Sequence, residues 1–136
     1  MDFNLFRHID TWIFDLDNTL YPPEVRLFDQ IEEKMRRFVS DFLGVSLEEA
    51  DRLRAQYWRS HGTTLAGMME MHAMPPHDFL RDVHEIDFSV LPNSRRLAQL
   101  IAALPGRKIV YTNGTEPYAR RVLEATGLEQ EFESVY

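Results

Sequence analysis

The run Trp12-Ile13-Phe14-Asp15-Leu16-Asp17 constrains the fold more than any other stretch of this chain. An apolar run with little polar alternation fits a strand covered on both faces, which is the pattern of a parallel sheet, here over about residues 10–17. Parallel strands need long crossover connections, so helices are required between this strand and its neighbours. The end of the strand is as informative as its middle. Two carboxylates one residue apart close it, and an unpaired buried carboxylate costs several kcal/mol as a rough figure. Water, a cation or a substrate has to compensate the pair.

Downstream of Tyr21-Pro22-Pro23, apolar residues recur at helical spacing: Val25, Phe28, Ile31, Met35, Phe38, Val39 and Phe42, with Gly44 as a stop. Ser46 and Glu49 form a capping-box pattern opening a second helix toward His61-Gly62. A third start is expected at Thr63 or Thr64, and a short helix after Pro75-Pro76 carries Phe79, Leu80, Val83 and Ile86. A further helix spans about 93–104 and is stopped by Pro105-Gly106. Arg107 to Tyr111 reads as a second strand, Thr112-Asn113-Gly114 as a turn, and Thr115 as the cap of a helix that has Pro117 in its first turn and Gly127 past its end. Phe132 to Tyr136 begins a third strand. The expected fold class is α/β: a Rossmann-like, doubly wound parallel sheet, incomplete in its strand count, with a helical insertion after strand one.

At 136 residues and 44% hydrophobic content the chain matches one ordinary domain with a real core. Twenty-two acids against 15 bases give a net charge of -7 with no basic stripe, which disfavours nucleic acid polymers and anionic membranes as partners. Without cysteine there is no disulfide framework, thiolate metal site or cysteine nucleophile. The N-terminal segment, interrupted by Arg7, His8 and Asp10, lacks the apolar core of a signal peptide, and no run reaches membrane-spanning length. The expected protein is soluble and cytoplasmic.

Ligands of open parallel sheets bind beyond the carboxyl ends of the strands, where both polar clusters fall. Asp15 is the candidate nucleophile toward phosphorus and Asp17 the candidate proton carrier. Thr112, with the amides near Asn113 and Gly114, is the candidate phosphate-binding group. A magnesium ion, held by hard oxygens of Asp15 and Asp17, would screen an anionic phosphoryl group from the attacking carboxylate.

The segment Asp15-Leu16-Asp17-Asn18-Thr19-Leu20-Tyr21 resembles the first motif of the haloacid dehalogenase-like superfamily of phosphohydrolases, and Tyr111-Thr112-Asn113-Gly114 resembles its second. The Leu-Tyr-Pro continuation is similar to the pyrimidine 5′-nucleotidase-like branch. The likeness covers the chain in element order, while its specificity rests on about a dozen residues. It implies an aspartyl-phosphate on Asp15, general acid/base work by Asp17 with its backbone carbonyl on magnesium, and phosphoryl binding by Thr112. It also implies that residues 22–88 form a helical cap, the α/β core being residues 1–21 and 89–136. The substrate class is a small phosphorylated metabolite such as a nucleoside 5′-monophosphate.

The family's later lysine and distal acids have no counterpart after the second motif. The only lysines are Lys34 and Lys108, and the acids after Gly127 are Glu129, Glu131 and Glu133. The chain reads as truncated after the second motif, with little or no activity by itself and with a strand edge open to self-association. The alternative function is a non-catalytic phosphate- or nucleotide-binding module that retains the fold.

Overall fold

A computed structural model describes residues 3–136, so Met1 and Asp2 of the expected core segment lie outside the described residues. The chain divides into two compact units, Met1–Leu27 with Asp87–Tyr136, and Phe28–Ile86.

The first unit holds the sheet. Strands β1 (Thr11–Phe14), β2 (Arg107–Val110) and β3 (Ser134–Val135) lie in the order β1-β2-β3, all parallel. Phe14 pairs with Val110, and Val110 with Val135. The fold is therefore α/β and Rossmann-like. Helix α5 (Arg95–Ala102) precedes β2 and helix α6 (Glu116–Thr126) follows it. Right-handed crossovers between sequential strands send both helices to one face of the sheet. Alternation along the strands puts Ile13, Tyr111 and Tyr136 on a common face, where they are 67%, 64% and 64% exposed. Strand β1 is thus an edge strand with an open face, rather than one covered on both sides. An apolar run reports what a strand can tolerate, and its cover depends on strands and helices elsewhere.

The core of this unit is built from Leu16, Leu20, Val110, Ile101, Leu128 and the α6 residues Ala119, Val122 and Leu123, all buried. Two cross-ties hold the approach to β2: the indole Nε1 of Trp12 donates to the Pro105 carbonyl at 2.7 Å, and the Arg107 amide donates to the Asp10 carbonyl at 2.8 Å. Gly106 is required at this crossing. Its φ is +84°, and a Cβ there would collide with the Asp10 carbonyl oxygen.

The second unit is helical: α1 (Leu27–Leu43, its first residue counted with the sheet unit), α2 (Leu47–His61), α3 (Thr64–His72) and α4 (Pro76–Val83). Ser46 caps α2 by accepting from the Glu49 amide at 3.1 Å, and Thr63 caps α3 by accepting from the Ala66 amide at 3.0 Å. The α1–α4 contact is a Phe38–Phe79 edge-on ring pair, and α1 reaches α2 through an Arg36–Asp51 ion pair at 2.9 Å. Helices α2 and α3 close on Tyr57, whose hydroxyl meets His72 Nε2 at 2.6 Å. Met68 and Met74 are buried, whereas Met69 and Met71 are exposed. No described helix is long and apolar enough to cross a membrane.

Candidate functional site

The strand segment expected to run through Asp17 stops at Phe14. The chain then turns. The Thr19 and Leu20 amides both reach back to the Leu16 carbonyl, at 3.2 and 2.9 Å, and Asn18 takes a left-handed φ of 56°. Asparagine tolerates that conformation better than most side chains. Leu16, Leu20 and Tyr21 are buried while Asp15 stays exposed and Asp17 half-buried, so the turn splits the two acids between environments.

Their partners differ accordingly. Asp15 Oδ2 accepts from the Thr19 hydroxyl at 2.9 Å. Asp17 Oδ1 accepts two phenols: Tyr21 at 2.8 Å, from one turn further on, and Tyr118 at 2.6 Å, from the first turn of α6. Burial first, then the negative charge of Asp17, push both phenols well above their ordinary pKa of 10.0. Each remains a protonated donor at any physiological pH.

The second cluster lies just past β2. The Tyr111 amide donates to the Phe14 carbonyl and the Thr112 amide to the Tyr136 carbonyl, both at 2.8 Å, so this turn is anchored to β1 and β3 alike. Thr112 Oγ1 accepts from the Gly114 amide at 3.1 Å. The Gly114 amide is therefore engaged within the turn, while the Thr112 hydroxyl keeps its own proton to donate. Neither Asn113 nor Gly114 has a positive φ, so this is not the hairpin-type turn that Asn-Gly suggests. Glycine is needed at 114 for space: a Cβ would stand 2.9 Å from the Tyr118 ring. Asn113 is exposed and Thr112 half-buried. Thr115 occupies the cap position of α6 without a side-chain cap bond.

Both clusters therefore sit at the carboxyl ends of adjacent parallel strands. Among the described residues, no hydrogen bond joins either carboxylate directly to Thr112, Asn113 or Gly114; the side-chain link between the clusters is Tyr118. Tyr21 was missed in the sequence as a partner of Asp17, because i+4 residues meet only once the chain turns after Phe14. Tyr118 had no signal either, because only the pairing of β1 with β2 brings α6 to the Asp17 turn. Lys108 donates to the Leu104 carbonyl at 2.9 Å, at the opposite end of β2 from Thr112. The described residues contain no group of three or more His, Asp or Glu arranged to hold a metal ion.

No protein-family model matches the chain. It is similar to phosphate metabolism protein 8 of Saccharomyces cerevisiae, 24% identical over 136 aligned positions that cover 91% of this chain. The match takes in 42% of that protein, so the chain spans about two-fifths of the length of this curated relative.

Proposed function

We propose that this chain performs phosphoryl chemistry at Asp15, as a magnesium-dependent phosphomonoester hydrolase working through an aspartyl-phosphate in the cytoplasm. The observation that carries the reading is the asymmetry of the two acids at the end of β1. Asp15 is exposed with one light hydroxyl contact, as a nucleophile needs, and Asp17 is half-buried and clamped, as a proton carrier needs. Likeness to a phosphate metabolism protein supports the same class. The motif resemblance narrows the substrate to small phosphorylated metabolites, nucleoside 5′-monophosphates foremost.

In this scheme an Asp15 oxygen attacks phosphorus as the bond to the leaving oxygen breaks, and Asp17 supplies that oxygen with a proton. Water then attacks the aspartyl-phosphate while Asp17 takes the proton back, and the Asp15 carboxylate is restored. The Thr112 hydroxyl is the donor to a phosphoryl oxygen, with Asn113 and Gly114 shaping the turn that carries it. The donors at the strand ends are hard oxygens, which fit magnesium with several waters retained; the Asp15 carboxylate and the Asp17 backbone carbonyl would hold it, and it would neutralise phosphoryl charge. With Lys108 engaged at the far end of β2, the sheet unit brings no lysine to phosphoryl oxygens. Turnover by this chain is therefore expected to be slow, since loss of one electrostatic group of this kind costs about 10²–10³ in rate.

The test is magnesium-dependent phosphate release from a nucleoside 5′-monophosphate, alongside trapping of Asp15 with beryllofluoride. Slow release together with an adduct at Asp15 supports the hydrolase. Nucleotide binding with neither release nor adduct supports the alternative, a non-catalytic binding module, which the engagement of Lys108 away from the Thr112 turn favours.

A further inference from the structure

From the convergence of two phenols on one carboxylate oxygen, we infer that Tyr118 and Tyr21 are positioning residues that set which oxygen of Asp17 handles the proton. The inference rests on the hydrolase reading above.

A buried tyrosine hydroxyl needs a hydrogen-bond acceptor, and one carbonyl would satisfy each. Here both select Asp17 Oδ1, one from four residues along the same turn and one across a sequence separation of 101 residues. Tyr21 and Tyr118 are each 2% exposed, so neither hydroxyl can readily exchange its partner for bulk water. Oδ1 is saturated by the two donors. Rotating the carboxylate would break both bonds and leave the two buried hydroxyls only each other and the Asn18 backbone as partners, without the charged acceptor both now share. Oδ2 is then the oxygen left to exchange a proton with water or with the leaving group. Tyr118 reaches this place because Gly114 carries no side chain where its ring passes. A single residue thereby ties the Thr112–Gly114 turn to the acid it must work beside.

The consequence falls on one step. When water attacks the aspartyl-phosphate, the new O–P bond forms, the bond from phosphorus to the Asp15 oxygen breaks with its electrons returning to that carboxylate, and the water proton passes to Asp17 Oδ2. A carboxylate free to rotate performs this less often. Formation of the adduct from a donor with a good leaving group needs no such proton.

The experiment uses the full chain with magnesium and acetyl phosphate as phosphoryl donor, following formation and decay of the acid-stable adduct. Tyr118→Phe and Tyr21→Phe are each expected to form adduct within about twofold of wild type and to lose it about 10–10²-fold more slowly, the scale of a displaced catalytic group. In an Asp17→Asn background, Tyr118→Phe should add no further slowing, because its effect passes through Asp17. Should Tyr118→Phe fail to fold, Tyr21→Phe alone and combined with Asp17→Asn carries the same comparison. Unchanged decay in a folded variant, or slowing that adds to that of Asp17→Asn, overturns the positioning role while leaving the hydrolase reading intact. A wild-type chain that forms no adduct overturns both.

Discussion

Asp15 and Asp17 share a side-chain type and a strand end, yet their surroundings assign them different work. On the reading above, Asp15→Asn should abolish the covalent adduct, whereas Asp17→Asn should permit it and slow its decay by roughly 10²–10⁴-fold, the usual loss when a general acid/base is removed. Trapping with beryllofluoride and timing adduct decay check the two separately; equal trapping in wild type and Asp15→Asn would reverse the assignment. The phenols beside Asp17 also couple to stability. Their folded pKa values lie above the ordinary 10.0, so in the unfolded chain they ionise first. Their contribution is complete below that value and is lost as pH rises beyond it, because the unfolded state then binds fewer protons than the native one. The urea midpoint should begin to drop near about pH 10 and keep dropping as pH rises further, and drop less steeply in Tyr21→Phe/Tyr118→Phe. A steeper alkaline loss in the double variant would contradict that coupling.

Among the elements, those with local punctuation were legible and those shaped by distant contacts were not. Ser46 and Thr63 announce α2 and α3 through hydroxyls that meet amides three residues on, a purely local geometry, and both helices begin where the sequence pattern puts them. Asp15, Asp17 and the Thr112 turn stood out for a related reason, being polar residues set directly against apolar strands. By contrast, β1 ends at Phe14 rather than Asp17, because Asn18 and the amides returning to Leu16 wind the chain into a turn that apolar content alone does not reveal. The exposure of Ile13 likewise depends on which helices lie on which face. Capping energetics gives a direct check. Ser46→Ala removes a cap bond and should lower stability by about 1 kcal/mol. Ser94, at the start of α5, makes no side-chain cap bond, and Ser94→Ala should change stability by less than about 0.5 kcal/mol. Urea titrations followed by circular dichroism compare the two, and equal losses would show that cap geometry is not what starts these helices.

For the molecule in solution, the sheet matters more than the site. Strand β1 pairs with β2 on one side, and among the described residues its other side has no strand partner. The opposite edge is protected by brevity, since β3 has only two residues, but β1 offers four consecutive residues, Thr11–Phe14. An edge of that kind, with unpaired amides and carbonyls and no charge within it, is a template for another strand. The exposed face reinforces it, because Ile13 protrudes from the edge strand itself and Tyr111 and Tyr136 extend the apolar surface across the sheet. The net charge of -7 opposes association but is spread over the chain, so salt should weaken that opposition. The expected occupant is therefore a second copy of this chain, paired β1 to β1, with a solution mass that rises with protein concentration and further with ionic strength. Ile13→Lys puts a charge on the edge and removes its protruding apolar group, and should return the chain to monomer. Leu100→Lys, an equal change of charge at an exposed α5 position, should leave association as it is. Light scattering over a concentration series reads all three proteins. A wild-type monomer throughout, or equal dissociation by both lysines, would mean that the β1 edge is not the contact and that charge alone governs association.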